Sequence, residues 1–404
     1  MPQRRFIGLS SGSSMHGIDA ALVETEGSGL ELRPRLVHFI HQSYTRDLRE
    51  LLLRAGSANP LSLRQVATLH RVLGENFASA ARLVAEQSKV SLQKILCVGF
   101  PGHTLWHDTE GRYPATLNIG MAAVLAERTG ITTISDFRGR DMVVGGQGFP
   151  LTPIVDFMLF QHRREHRLLI HLGGVATILS MPPEPTTRQV IGFQAAPCTI
   201  LLDGMMRLLT GGREPYDTGG KHAVQGCCIE ALVDRWLKHP LLQKRPPKNI
   251  SRQDFGEDFL GQAIQFARHQ HRNLHDVLCT ATHFVARAIV EAVRRFVPRP
   301  AQRVLLSGGG VRNGLLWSLL EQHLAPIPLE KIDVYGIPAE ARKAVAFAGL
   351  AALTMDGVPA NLPGVTGAAG PRLLGHITPG SSVNWAQCLT WMAAQSTPWK
   401  LAAA

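Results

Sequence analysis

The sequence predicts a two-domain α/β protein in which one β-hairpin arrangement occurs twice. The chain has 404 residues, which is too long for one ordinary hydrophobic core, so two domains are expected. A strand, a turn rich in glycine and serine and a second strand open the chain over Phe6–Glu24. A second hairpin follows at 168–179, with Gly173 and Gly174 in its turn. The repetition indicates a duplicated domain in which each half offers one phosphate-binding turn.

The composition is that of a globular protein, with 45% hydrophobic and 18% charged residues. The net charge of +11 is not concentrated in basic blocks interleaved with aromatic residues, so no nucleic-acid partner is expected. The six cysteines form no CxxC pair and favour free thiols in a reducing compartment. No signal-peptide core and no run of about 18 apolar residues is present. We therefore expect a soluble, cytoplasmic protein without a membrane partner.

The turn of the first hairpin is a candidate phosphate site. Glycine lets backbone N–H groups approach phosphate oxygens closely, and serine hydroxyls add further donors. An ordinary hairpin turn is the alternative interpretation. The candidate residues of this turn are Gly12, Ser13, Ser14, His16, Gly17 and Asp19.

Polar residues follow the next predicted strand, Ile95–Gly99, which comes after a long amphipathic helix that begins near Leu63. His103, Thr104 and His107 lie just beyond this strand. Ligands of open α/β sheets bind at the carboxyl ends of strands, so these side chains are candidates for ligand contact. Structural histidines are the alternative.

Carboxylates and arginines alternate after a predicted strand at Thr132–Ser135. Asp136, Arg138, Arg140 and Asp141 precede a glycine-rich loop that contains Gln147. The segment is either a salt-bridged hinge between domains or the floor of an active site for an acidic or polyhydroxy ligand.

A strand–turn–helix junction runs from Val190 to Asp203. In a two-domain nucleotide-dependent enzyme, a catalytic carboxylate would project from such a junction. Here the position carries Gln194, and the turn contains no carboxylate.

The most specific nucleotide pattern lies between a buried strand, Val304–Ser307, and a helix that begins near Leu315. Gly308, Gly309, Gly310 and Asn313 place backbone amides near the start of that helix, which favours a nucleotide or another anion. Further helices are predicted at 276–296 and at 341–353, and a loosely held tail follows about Gly380.

Several motifs together resemble the anhydro-N-acetylmuramic acid kinases, from Phe6 to about Pro379. The matching stretches are Ala126–Ile131, Asp136–Asp141 with Gly145–Gly148 and Pro150-Leu151, Ser307–Gly310 with Arg312-Asn313, Tyr335–Pro338, and Asn361–Pro363 with Val365–Ala368. The resemblance implies two ribonuclease-H-like domains of the sugar kinase, heat-shock chaperone and actin superfamily around a central cleft. It implies domains at 1–140 plus about 360–380 and at 141–359, with a tail at 381–404.

The resemblance also implies a reaction and its ligands. Water opens the 1,6-anhydro bond of anhydro-N-acetylmuramic acid while the freed oxygen takes the γ-phosphate of ATP, with Mg²⁺, in cell-wall recycling. It implies a homodimer. By this resemblance the nucleotide would lie at the two hairpin turns and at Gly308–Asn313. The amino sugar would lie at His103, Thr104, Arg138, Gln147 and Lys343.

The departures from the family pattern fall on residues that would do chemistry. His16 stands where the family has aspartate, Pro101 where it has histidine, and Lys343 where it has glutamate. Gln194 occupies the position of the aspartate that activates water, and a carboxamide does not accept a proton near neutral pH. The leading hypothesis is therefore a family member with impaired catalysis.

Two other hypotheses remain open on the sequence. The protein is an active kinase with a changed substrate, in which Asp136 or Asp141 supplies a carboxylate. Alternatively it is a non-enzymatic module that binds nucleotide, sugar or a metal. His16, His103, His171 and Cys198 would be the zinc ligands, although no ligand spacing indicates a metal site.

Overall fold

The structure is a computed structural model that describes residues 3–12, 15–55, 61–109, 111–184, 186–248, 250 and 254–395. The chain forms two compact units, Met1–Phe160 with Ala341–Ala404 and Gln161–Glu340. The expected boundary at 140–141 lies inside the first unit, because 141–160 and 341–359 group with that unit.

Six strands of the first unit form its main sheet, and two more form a separate ribbon. The sheet contains β1 (Arg4–Ser11), β2 (Gly17–Glu26), β3 (Arg33–Ser43), β4 (Cys97–Phe100), β7 (Thr132–Ser135) and β13 (His376–Thr378), and the ribbon contains β5 (His103–Asp108) and β6 (Ala115–Ile119). The order in the sheet is β13-β7-β4-β1-β2-β3. β1, β2 and β3 are antiparallel neighbours, whereas β4 is parallel to β1 and β7 is parallel to β4.

The second unit repeats this topology. Its strands are β8 (Arg167–Leu172), β9 (Val175–Met181), β10 (Ile191–Pro197), β11 (Arg303–Ser307) and β12 (Leu329–Lys331), in the order β10-β9-β8-β11-β12. Again three antiparallel strands are followed by two parallel ones. The predicted duplication and the predicted α/β fold with two ribonuclease-H-like domains are therefore confirmed.

Eight helices belong to the first unit and six to the second within the described residues. The first set is α1 (Arg46–Ala55), α2 (Leu63–Gln87), α3 (Ala122–Thr129), α4 (Gly139–Val143), α5 (Pro153–Phe160), α12 (Arg342–Met355), α13 (Pro363–Thr366) and α14 (Ser382–Ala394). The second set is α6 (Thr199–Thr210), α7 (Glu230–Leu237), α8 (Pro240–Gln243), α9 (Glu257–His269), α10 (Leu274–Phe296) and α11 (Gly314–Leu324).

The core of the first unit follows from the sequence patterns of α2 and α12. The apolar stripe of α2, which includes Leu73 and Phe77, packs with Ile7 and Leu9 of β1 in one buried cluster. On α12, small residues permit a very close approach to the sheet. A Cβ at Gly8 would lie 1.8 Å from the carbonyl oxygen of Ala344, so glycine is required there.

The segment after Gly380 differs from the prediction of a loose tail. Ser381 caps α14, and Asn384 accepts a hydrogen bond from the Thr132 amide at 2.7 Å. The Asn384 amide also donates to the carbonyls of Ile95 and Leu96 at 3.1 Å. The prediction is therefore wrong for 382–394, because these hydrogen bonds join the helix to Thr132 in β7 and to the two residues before β4, all far away in the sequence.

None of the helices in the described part of the chain has the length and apolar character needed to cross a membrane.

Candidate functional site

The turn between β1 and β2 contains the first group of predicted ligand residues. Ser13 and Ser14 lie outside the described residues. The Met15 amide donates to the Gly12 carbonyl, and the His16 carbonyl accepts from the Tyr44 amide. Gly17 has a structural reason to be glycine, because a Cβ there would lie 2.2 Å from the carbonyl oxygen of Gln42.

Asp19 is the carboxylate of β2 nearest to the turn. Its Oδ1 atom lies 2.7 Å from Nδ1 of His41, and this hydrogen bond raises the pKa of the imidazole. The Asp19 carboxylate thus already has a cationic partner when His41 is protonated.

His103 joins the end of β1 to β5. Its Nδ1 atom lies 2.9 Å from Oγ of Ser11, which also accepts a hydrogen bond from the Tyr44 hydroxyl. The His103 side chain is buried, and burial lowers its pKa to about 4. Thr104 donates to Oδ1 of Asn118 at 2.8 Å across the β5–β6 ribbon. Both predicted ligand residues therefore have structural partners.

Asp141 is the centre of a buried hydrogen-bond network. Its Oδ2 atom accepts from the Gly148 amide at 2.8 Å, and its Oδ1 atom accepts from Asn361 at 2.7 Å and from Thr366 at 2.8 Å. A Cβ on Gly146 would lie 2.1 Å from Oδ2, so this loop wraps closely around the carboxylate. Its partners are neutral groups of the first unit rather than the arginines of a salt-bridged hinge between domains.

Asp136 and Arg138 are more accessible than Asp141. Asp136 has φ of 48°, accepts from the Gly139 amide at 3.1 Å and lies 3.6 Å from Nδ1 of His376. The half-buried Arg138 lies over the Phe149 ring, and burial lowers its pKa to about 10. The Gln147 amide donates to the Thr366 carbonyl at 2.8 Å, which joins this loop to the Asp141 network.

Lys343 lies on α12 of the first unit. Burial lowers the pKa of its ammonium group and the neighbouring Arg342 lowers it further, whereas Asp19 raises it. Arg342 is itself paired with the buried carboxylate of Asp156 at 2.7 Å. Lys343 therefore adds a buried amino group to a region that already contains Arg138 and Arg342, and both arginines lower its pKa.

In the second unit, the β8–β9 turn covers the start of α6. The Gly173 carbonyl accepts from the Thr199 amide at 3.0 Å, and the Gly174 carbonyl accepts from the amides of Cys198 and Ile200 at 2.9 and 3.1 Å. These bonds use amides that otherwise have no acceptor within a helix. The turn thus has a structural role in addition to the predicted phosphate contact.

Gln194 is a buried residue of β10, in a stretch where the pairing with β9 is irregular. Only 4% of its surface is exposed, and its Oε1 atom accepts a hydrogen bond from the Ile250 amide at 2.5 Å. The carboxamide therefore joins Ile250 to β10. Ile250 was not predicted as a partner, because no local pattern connects positions 56 residues apart.

The loop after β11 has the predicted strand–glycine–helix form. Gly308 has φ of 86°, and a Cβ there would lie 2.6 Å from the carbonyl oxygen of Leu172. Gly309 is exposed, and a Cβ there would meet no atom within 4 Å. Asn313 accepts from the Leu316 amide at 3.0 Å and so caps α11. His171 at the end of β8 lies 3.0 Å from Oγ of Ser307 at the end of β11.

The four residues of the zinc hypothesis are divided between the units. His16 and His103 belong to the first, and His171 and Cys198 to the second. Within the described residues, neither pair belongs to a group of three or more ligating side chains, so the geometry does not support the hypothesis.

Comparison with known proteins decides the family. The family model described as anhydro-N-acetylmuramic acid kinase matches residues 4–380. The chain belongs to the anhydro-N-acetylmuramic acid kinase family. A protein of that name from a Cyanothece species is 37% identical over 377 residues, which cover 92% of this chain and 98% of that protein. Another from Acaryochloris marina is 37% identical over 376 residues, which cover 92% of this chain and 98% of that protein.

Membership of the anhydro-N-acetylmuramic acid kinase family confirms the resemblance inferred from the motifs. Asn361 and Thr366, which lie in two of the matching motifs, also have a structural role. The structure shows that both donate to the Asp141 carboxylate. Part of the matching family pattern thus preserves a buried hydrogen-bond network.

Proposed function

We propose that this chain binds ATP and an anhydro amino sugar, but opens and phosphorylates the sugar very slowly. Family membership supports the ligand classes, because the relatives are named anhydro-N-acetylmuramic acid kinases. One observation carries the proposed impairment. The residue at the position of the family's water-activating aspartate is Gln194, whose carboxamide is buried and hydrogen-bonded to Ile250.

A carboxamide at this position cannot serve as a general base. It does not take up a proton near neutral pH, whereas a carboxylate does. The loss of a positioned base slows a reaction by roughly 10²–10⁴-fold. Glutamine is one methylene longer than aspartate, and its Oε1 atom accepts from the Ile250 amide. The substitution therefore exchanges a proton acceptor for a structural hydrogen bond.

The two carboxylates considered as replacements have other partners. Asp141 accepts three hydrogen bonds and is fully buried, so it is a poor acceptor for a proton from water. Asp136 accepts from the Gly139 amide and lies near His376. Neither arrangement favours Asp136 or Asp141 as a general base in place of the residue at position 194.

The loop at Gly308–Gly310 fits a phosphate group of a nucleotide. Gly309 offers open space beside an exposed backbone segment that leads into α11. Backbone amides at the start of a helix attract phosphate oxygens. We therefore expect Gly309→Val to weaken ATP binding at least about tenfold, whereas Gly261→Val on α9, where a Cβ also meets no atom, leaves it unchanged. Calorimetric titration measures both.

Mg²⁺ has few ligands from the described part of the first hairpin. The carboxylate nearest to the turn is Asp19, which is hydrogen-bonded to His41. His16 stands where the family has an aspartate. Mg²⁺ at nucleotide sites commonly takes one or two carboxylates, with phosphates and waters as its other ligands. Asp19 fits such an ion only as a single protein ligand.

A second candidate function is an active ATP-dependent kinase with a changed substrate. The observation that favours it is Lys343, which stands in place of a family glutamate and joins Arg138 and Arg342. An anionic ligand would favour the protonated form of Lys343, so this region suits a more anionic sugar. A sugar with a free hydroxyl group also needs no ring-opening water, so Gln194 would not prevent its phosphorylation.

The expected cellular context follows from the same proposal. We infer a cytoplasmic homodimer whose ligands are a nucleotide and an amino sugar, with no nucleic-acid partner. Light scattering coupled to gel filtration tests the dimer, which a monomeric mass at micromolar concentration would contradict.

The test of the proposed function uses the unmodified protein. Calorimetric titration with Mg·ATP and then with anhydro-N-acetylmuramic acid is expected to show binding of both. ADP release with that sugar should be at least about 100-fold slower than for the Acaryochloris marina relative assayed in parallel. Equal rates would contradict the impairment, and absence of ATP binding would contradict the retained site. Rapid ADP release with a sugar that has a free hydroxyl group would favour the second candidate.

A further inference from the structure

Three side chains of different ligand type meet between α7 and α10 of the second unit. They are Cys228, which precedes α7, Glu230, the first residue of α7, and His283 in α10. One sulfur, one nitrogen and one oxygen atom of this group all lie within 4.8 Å of one another. Of the side chains that the structure describes, these form the group with the separation expected of metal ligands.

The backbone holds the segment of Cys228 firmly against α10. The Cys227 amide donates to Oδ1 of Asp276 at 2.6 Å, and the Ile229 amide donates to Oγ1 of Thr280 at 2.9 Å. A Cβ at Gly226 would lie 2.2 Å from the carbonyl of His275, so glycine permits this close approach. The ligand positions are therefore set by the fold before any ion binds, which favours affinity.

One face of α10 contacts the segment around Cys228 and the start of α7. Asp276, Thr280, His283 and Arg287 follow one another at intervals of three or four residues, which places them on one face of the helix. Arg287 donates to Oε2 of Glu230 at 2.8 Å and to Asp234 at 2.9 Å. Arg287 thus orients the Glu230 carboxylate through Oε2, as outer partners of metal ligands commonly do.

The ligand chemistry is that of a borderline divalent cation. Zinc takes thiolate, imidazole and carboxylate ligands in tetrahedral sites, with bonds of about 2.0–2.3 Å. Such bonds hold ligand atoms roughly 3.3–3.8 Å apart, so any pair here has to close by at most about 1–1.5 Å. Rotation of the exposed Glu230 side chain provides this movement, and its exposure leaves an entry path.

We propose that Cys228, Glu230 and His283 bind a zinc ion, with water as the fourth ligand, and that this ion ties α7 to α10. On binding, zinc takes the thiolate and the proton passes to solvent. The site is separate from Gln194 and from the glycine loop of the proposed nucleotide site.

The test is calorimetric titration of the full chain with Zn²⁺ alone after removal of metals by a chelator. One equivalent is expected to bind, and the melting temperature should rise. Cys228→Ser and His283→Gln should each weaken binding at least about tenfold. Cys227→Ser and His269→Gln are matched controls, because both side chains are exposed and neither belongs to the group. Both controls should bind like the unmodified protein.

A measurement on the unmodified chain keeps the proposal testable if a variant fails to fold. Iodoacetamide labelling followed by mass spectrometry compares Cys228 with its neighbour Cys227. Zinc should slow labelling of Cys228 at least about tenfold and leave that of Cys227 unchanged, since a bound thiolate is protected. Equal labelling with and without zinc, or unchanged affinity in both Cys228→Ser and His283→Gln, would overturn the proposal.

Discussion

The two units share one strand topology but contain different buried polar groups: Asp141 lies in α4 after β7, and Gln194 lies in the edge strand β10. In the first unit, a buried carboxylate, Asp141, accepts three hydrogen bonds from Gly148, Asn361 and Thr366. In the second, a buried carboxamide, Gln194, accepts one from Ile250. The first arrangement uses both carboxylate oxygens as acceptors. In the second, the hydrogen bond to Ile250 uses the carboxamide oxygen.

A histidine–serine hydrogen bond lies at the end of the first strand of each sheet, with the two residue types exchanged. In the first unit Ser11 ends β1 and His103 begins β5, just after β4, whereas in the second His171 is the penultimate residue of β8 and Ser307 ends β11. In the first unit the Tyr44 hydroxyl also donates a hydrogen bond to Ser11. The same position in the topology can therefore be stabilised by different residues, and this explains how polar residues change while the scaffold remains.

The largest effect is expected from removal of the Asp141 carboxylate. Asp141→Ala removes three buried hydrogen bonds, of which only long contacts of Asn361 with the Gly370 carbonyl and of Thr366 with the Leu362 carbonyl remain as replacements. The free energy of unfolding of the first unit should fall by about 3–5 kcal/mol. Urea unfolding measures the change. Gln194→Ala, which leaves the Ile250 amide unpaired, should cost about 1–3 kcal/mol. If both variants lost the same stability, the contrast between the two arrangements would be refuted.

The stability of the protein should depend on pH because His103 is buried. The pKa of His103 is lowered to about 4 in the folded state, so the unfolded chain binds the proton more tightly. Stability then falls as the pH drops below about 6.5, and His103 should account for about 2 kcal/mol between pH 7 and pH 5. His103→Gln, which has the family's residue at this position, should remove that part of the loss. A pH series of urea unfolding that is identical for both proteins would contradict this.

The smallest difference is expected between the two serines. Ser11→Ala removes the partner of both His103 and Tyr44, and should cost about 2 kcal/mol, since one hydrogen bond contributes about 1 kcal/mol. Ser307→Ala removes the bond to His171 and should cost about 1 kcal/mol. Thermal melting of the two variants under one condition measures the difference, and a larger loss for Ser307→Ala would reverse the proposed ranking.

Local patterns in the sequence predicted the repeated hairpins, the helix at Leu63 and the glycine loop after β11, because each depends on neighbouring residues. They could not predict the donors to Asp141, since Asn361 lies 220 positions away. They also missed α14. This helix is held by hydrogen bonds between Asn384 and residues distant in the sequence, and it has no strong apolar pattern. At Gln194 the sequence predicted the missing carboxylate, but not the hydrogen bond to Ile250 that now uses the side chain.

The central claim is that Gln194 limits the reaction of an otherwise retained scaffold. The most direct test is the rate of ADP release from Mg·ATP and anhydro-N-acetylmuramic acid for Gln194→Asp and Gln194→Glu, with Gln194→Asn as the matched carboxamide control. Gln194→Asp restores the family's residue, and Gln194→Glu keeps the length that reaches Ile250. We predict that at least one carboxylate variant is faster than the unmodified protein by about 100-fold, while Gln194→Asn gains nothing. Rates that stay equal in all four proteins would contradict the account.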